Sequence, residues 1–245
     1  MKFILLLFIP LLGFSQQNKI TIEYDFYDNY RYQETIGILN CDNETAIFKT
    51  FLDRLNTGGK SASNSSGEIT IGGDRIDIYR VTNKKNNTLI SYDIRKDDIY
   101  EITEEVPKMD WKIGYTETKK IANYNCSKAT VSFRGRNYTA WYTIQLPFSF
   151  GPWKFNGLPG LILEISDITN TFKWRASKIK YPTNTILKVP YKKVKRVTLK
   201  KLIAIEDQNM KVLRARIMSL LPKQGIVTTP ENDRNDIELV YEWEK

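Results

Sequence analysis

The segment Gly151-Pro152-Trp153-Lys154-Phe155-Asn156-Gly157-Leu158-Pro159-Gly160-Leu161-Ile162-Leu163-Glu164-Ile165 constrains the fold more than any other part of the chain. Its first ten residues hold three Gly, two Pro, Trp153 and Phe155. Glycine admits positive φ, and proline fixes φ while removing a donor. These residues therefore form a shaped loop, not a helix or a central strand. From Leu161 the chain is apolar apart from Glu164 and reads as a buried strand. A shaped aromatic loop feeding a buried strand is either the lip of a binding site or a plug that closes a core. Phe148, Phe150, Trp153 and Phe155 flank Gly151-Pro152 and are its apolar candidates. Pro152 is expected to hold Trp153 on the outer turn, at a lip, while Phe155 enters the core. Gly157, Pro159 and Gly160 are read as shaping the backbone, Gly160 through positive φ or a close approach.

Period-two alternation marks the rest of the chain. Strands are expected at 20–26, 30–39, 74–82, 88–95, 99–106, 111–122, 125–133, 137–145, 161–166 and 171–179. Residues 43–55 fit either a helix or a strand, and 56–67 read as a polar loop. Arg134-Gly135-Arg136 joins two long strands as a tight hairpin turn. Thr198 caps one long helix in which Leu199, Leu202, Met210, Leu213, Ile217 and Leu220 recur near the helical period, and Leu221-Pro222 ends it. A last strand is expected over 235–241. The predicted fold is mainly β (β-rich α+β): a curved antiparallel sheet, or half-barrel, with one late amphipathic helix packed on it. That outline is similar to periplasmic lipid- and lipoprotein-carrier half-barrels in architecture alone.

Met1-Lys2 followed by the apolar Phe3 to Phe14 reads as a secretory leader, cleaved after Ser15. The expected organisation is a signal peptide over 1–15 and one β-rich domain over 16–245. No Cys follows the cleavage point, so a lipid anchor is not expected, and no later run is long enough for a membrane helix. Two cysteines, Cys41 and Cys126, would meet an oxidising compartment, where they either bridge or stay as free half-buried thiols. The chain contains no His. That excludes Ser-His-Asp and Cys-His catalysis and the common zinc sites. No metal site and no cofactor are expected.

The net charge of +9 is local, concentrated between Lys188 and Arg216. A solvated helix face explains much of it. Lys192, Lys193, Lys195 and Arg196 precede the helix near its positive dipole end, where they gain nothing from the dipole. They are the candidate anion site, facing an anionic membrane surface or an acidic protein. Nucleic acid is not an expected partner of an exported chain without a nucleic-acid motif. Trp141 and Tyr142 point to opposite faces, and one of them is expected to join the loop. Glu164 shares a face with Ile162 and Ser166. It is either exposed or a buried carboxylate that needs a cation such as Arg175. Glu117 and Lys119 read as an exposed pair.

Five ordered motifs carry a resemblance: Trp111-Lys112-Ile113, Glu117 to Ile121, Tyr124 to Ala129, Gly135 to Thr143 and Gly157 to Ile162. Together they resemble the GLPGLI family of exported bacterial proteins, whose function is not established. Asn123 stands where that family has Gly, and Asn tolerates left-handed geometry next best. The resemblance implies export and a rough fold, and no activity. The residues lead to a periplasmic, non-enzymatic binding or accessory protein for an apolar or amphipathic ligand or an envelope protein. Trp141, Phe148, Phe150, Trp153, Phe155 and Glu164 are its candidate contacts. The alternatives are an interaction protein with a filled core or, third, an enzyme.

Overall fold

The computed structural model describes residues 19–54, 62–63, 69–70, 74–95, 98–220, 234 and 236–244. The expected leader, the expected polar loop at 56–67 apart from residues 62–63, and the expected helix stop at Leu221-Pro222 lie outside them. The strands are β1 (Ile20–Asp28), β2 (Gln33–Cys41), β3 (Thr45–Arg54), β4 (Ala62–Ser63), β5 (Ile69–Thr70), β6 (Asp74–Asn83), β7 (Thr88–Arg95), β8 (Asp98–Glu105), β9 (Thr118–Ile121), β10 (Tyr124–Phe133), β11 (Arg136–Thr143), β12 (Leu161–Asp167), β13 (Phe172–Lys180) and β14 (Lys195–Thr198). One helix follows, α1 (Leu199–Leu220), and a short 3-10 turn at Glu242–Glu244. Twelve strands form one open sheet in the order β14-β8-β7-β6-β3-β2-β1-β13-β12-β11-β10-β9, and β4 pairs with β5. Every neighbour in the large sheet is antiparallel except β14 beside β8. The architecture is thus mainly β, as the alternation implies.

The ambiguous segment is strand β3. It lies between β2 and β6 and pairs with both, so ladder bonds on two sides outweigh its helical spacing. Ala46 and Phe48 point inward and are buried. Register aligns inner side chains into rows across the sheet. Ile20, Cys41, Ala46, Thr82, Leu89 and Glu104 are successive partners from β1 to β8. The adjacent row runs Ile179, Ile22, Leu39, Phe48, Arg80, Ser91, Ile102 and Val197. Both rows are apolar from β1 to β3; the first is then polar at Thr82 and Glu104, and the second only at Arg80 and Ser91.

Three expectations change at the margins. Residues 111–122 form a strand only at β9; Gly114 at φ +90 interrupts the rest, which touches β10 through the Lys112–Thr130 bridge. In the β9–β10 turn the left-handed residue is Ala122 (φ +50), not Asn123. Residues 236–241 form no strand. Leu239 and Val240 instead donate to the Arg134 carbonyl at 2.9 and 3.3 Å, crossing the β10–β11 turn. Gly135, at φ +84, makes room for them: a Cβ there would lie 2.9 Å from Leu239 Cβ.

The late helix is present, and Thr198 Oγ1 accepts from Lys201 N–H at 3.3 Å, as a cap should. Its packing is narrower than the sequence suggests. Leu199, Leu202 and Ile203 are buried with Ile102 and Tyr241. Met210, Leu213 and Ile217 are 44%, 48% and 48% exposed. The helix starts at the edge strand β14, so only its first two turns lie over the sheet.

Candidate functional site

The loop between β11 and β12 folds back on itself and enters the core. Phe150 N–H donates to Phe148 O at 2.8 Å, Gly157 N–H to Ser149 O at 3.2 Å and Ile162 N–H to Phe150 O at 3.0 Å. Trp111 Nε1 donates to Asn156 O at 2.8 Å. Gly157 sits at φ +97, as expected of a shaping residue, and Pro159 is exposed. Gly160 serves by close approach: a Cβ there would lie 2.1 Å from the Thr143 carbonyl oxygen. Phe148, Phe150 and Phe155 are buried, and so is Trp153. The expected division between a core Phe155 and an outer Trp153 is therefore wrong. Trp153 adopts φ +58, rare for a bulky residue, and this turns its ring inward. It stacks at 6.2 Å on Trp174 and meets Phe155 edge-on at 5.2 Å. Lys84 anchors the loop from outside, donating to Ser149 O at 3.0 Å and Oγ at 2.7 Å while lying 4.0 Å over the Phe150 ring.

The remaining sequence candidates do not converge on that loop. Trp141 and Glu164 are cross-strand partners on β11 and β12, and Glu164 faces Arg175 on β13. By alternation this trio lies on the sheet face away from Leu163 and Ile165. Glu164 is buried and accepts from Lys119 Nζ at 2.6 Å; Arg175 Nε is 3.5 Å away. Lys119 also lies 5.5 Å over the Trp141 ring. Lys119 thus pairs with Glu164, and Glu117 pairs with Lys128 at 2.8 Å, so the expected Glu117–Lys119 pair is absent. In the basic segment, Lys195 pairs with Asp98 at 2.5 Å and Arg196 with Glu101 at 2.9 Å. Parallel pairing of β14 with β8 produces those contacts, so Lys192 and Lys193 remain as the exposed members of the cluster without an ion pair among the described residues.

Cys41 and Cys126 are free, buried thiols, and the bridge weighed from the sequence is not formed. They stand on β2 and β10, five strand spacings apart, about 24 Å along the sheet. A disulfide needs Cα atoms within about 7 Å. Burial pushes the Cys126 thiol up to about 11 and raises Cys41 further, so neither is a reactive thiolate at neutral pH.

The structure instead assembles a site that the sequence did not single out. A cavity of about 340 Å³ lies between the inner face of β6–β8, the first turns of α1, the loop at Trp153-Lys154 and the segment at 236–241. Its apolar wall includes Trp153, Ile102, Leu202 and Ile203, and its polar floor includes Arg80, Ser91 and Asp93. Arg31 and Asp236, exposed and 3.8 Å apart, stand at its mouth.

An ion network seals the cavity's far side. Lys154 Nζ donates to Glu104 at 2.5 Å and to both Glu238 oxygens at 2.9 and 3.0 Å. Arg134 binds Glu104 at 2.5 Å, Glu242 at 3.0 Å, and Glu238. Burial pushes the Glu238 carboxyl up, but Lys154 and Arg134 outweigh it and hold the group below its ordinary value. Burial pulls Arg134 down, and Glu238 and Glu104 more than reverse it. Arg80 differs. Burial pulls its guanidinium down, the carboxylates of Glu238, Asp93, Asp236 and Glu104 offset this only in part, and no acceptor meets its buried Nε. Ser91 Oγ, opposite it on β7, is likewise buried without a partner. Among the described residues no cluster of three or more His, Cys, Asp or Glu could hold a metal ion.

Sequence and structure comparisons bear on the fold. Residues 134–164, which span β11, the loop and the start of β12, match a family described as a protein of unknown function (Porph_ging). No curated protein matches the chain. The structure of PNGF-II in space group C2 is similar at TM-score 0.52 and 17% identity, over 75% of this chain and 32% of that one. The P21 form gives 0.53 and 16%, over 76% and 32%. The chain thus spans about a third of the length of PNGF-II, and at that identity the likeness concerns the fold alone. No helix among the described residues is long and apolar enough to cross a membrane.

Proposed function

We propose that this chain is an exported member of the GLPGLI family, a single periplasmic domain after cleavage of its leader, that binds an amphipathic ligand without transforming it. The observation that carries the reading is the cavity between sheet and helix. It is lined by a tryptophan and three aliphatic side chains, with the buried, unbonded Arg80 Nε and Ser91 Oγ among them. Pockets of a few hundred Å³ with an apolar lining and few polar groups are the usual form of small-molecule sites. Binding without catalysis fits the side chains present. Glu104 and Glu238 are engaged by Lys154 and Arg134, and Glu238 stays ionised at neutral pH, unsuited to act as a general acid. Lys192 and Lys193 leave a weak attachment to anionic lipid open as a secondary contact.

Native mass spectrometry of protein prepared from the envelope tests the reading. A co-purifying small molecule that departs on mild activation is the expected result. A bare chain that retains an envelope protein instead would replace ligand binding with an interaction role.

A further inference from the structure

We propose that Arg80 and Ser91 receive the carboxylate of an amphipathic monocarboxylic acid, whose apolar part lies against Trp153, Leu202 and Ile203. This inference rests on the binding reading above and names the ligand class. Arg80 and Ser91 are direct cross-strand partners and interrupt an inner row that is otherwise apolar from Ile179 to Val197. The interruption falls at the cavity floor. Ser91 is 7% exposed with an unbonded Oγ, and Arg80 Nε is buried and unbonded. Such groups are costly to bury unless something binds them. The two cations beside them, Lys154 and Arg134, are both matched by carboxylates. Among the described residues that line this cavity, the buried unbonded side-chain polar atoms are thus those of Arg80 and Ser91.

Opposed side chains on antiparallel strands start about 5 Å apart at Cβ, so one acceptor group can reach both. A carboxylate fits: one oxygen pair on the guanidinium fork, with the hydroxyl donating to the same group. The surrounding charge sets the limit. Asp93 and Glu206 line the cavity, and Glu238, Asp236 and Glu104 act on Arg80 from close by. One guanidinium amid these carboxylates accommodates a single negative charge and disfavours the second charge of a phosphate monoester. The apolar wall opposite the floor requires that the ligand carry a hydrocarbon part.

Octanoate, octanol and octyl phosphate, titrated calorimetrically into the full chain, separate these claims. Wild type should bind octanoate at least about tenfold more tightly than octanol, the scale of one charge-assisted bidentate contact. Octyl phosphate should bind more weakly than octanoate. Arg80→Met should erase the preference for the acid and leave octanol binding unchanged; Ser91→Ala should reduce the preference in part. Because Arg80 Nε is buried without a bond, the melting temperature of Arg80→Met should be unchanged or raised. If that variant does not fold, Arg80→Lys, which keeps the charge without the fork, should still weaken octanoate alone. Equal wild-type affinity for octanoate and octanol, or an acid preference that survives Arg80→Met, overturns the carboxylate site and leaves the amphipathic reading standing. Tighter binding of octyl phosphate overturns the monocarboxylate assignment. Binding of none of the three overturns both readings.

Discussion

At Gly160 a Cβ would lie 2.1 Å from the Thr143 carbonyl oxygen and 2.6 Å from its carbon, backbone atoms that cannot rotate away. Gly160→Ala must therefore shift β11 against the loop, and should cost about 1–3 kcal/mol in urea denaturation, the range of overpacked cores. Wild-type stability would show that the approach is not tight. Trp153 and Phe155 should behave alike under truncation. Both are buried and share ring contacts with Phe133 and Trp174, so each alanine variant should lose roughly 3–5 kcal/mol. A small loss for Trp153 alone would return it to the outer position expected from Pro152. The shaping role of Gly160 was legible in the sequence because Gly and Pro act through local backbone geometry. The depth of Trp153 was not, because Phe133 and Trp174, which fix it, come from other strands.

Strand positions were legible because alternation is local, and parity even places Arg80 with Ile76 and Ile78, and Ser91 with Leu89. The site still escaped notice, since the opposite parity carries Tyr79, Val81, Ile90 and Tyr92 and is apolar too. Only the register with Phe48 and Ile102 decides which face looks inward. Lys154 and Glu238, far apart in sequence, could be joined by no spacing argument. The helix shows the converse limit. Its apolar period runs through Met210, Leu213 and Ile217, yet burial stops at Ile203 because the supporting sheet ends at β14. Leu202→Ala should then cost about 2–5 kcal/mol, whereas Leu213→Ala should stay within about 0.5 kcal/mol. Comparable losses in thermal or urea melts would mean that the outer turns of α1 are packed in solution.

The molecule divides its inner space between two ways of filling it. Over β1–β3 and β9–β13 the loop aromatics and strand side chains form one apolar core. Over β6–β8 the space is held by ions, with Lys154 and Arg134 bridging Glu104 and Glu238 from four distant segments. Acid acts on the ionic half through its carboxylates. Glu238 has a folded-state value below that of the unfolded chain, so its contribution is fully present above the unfolded value, about 4.3. That contribution is lost as pH falls through the lower, folded value. Neutralising Glu238 as Gln removes one partner of a buried network and should cost about 3–5 kcal/mol at neutral pH. The variant should also lose less stability than wild type between neutral pH and the acid range, because the titrating group is gone. Urea midpoints of both proteins, followed from pH 7 down to about 3, should converge toward acid. Midpoints that fall in parallel would show that acid acts elsewhere, and that the Lys154–Glu238–Arg134 linkage is not what joins the loop, the β10–β11 turn and residues 236–241.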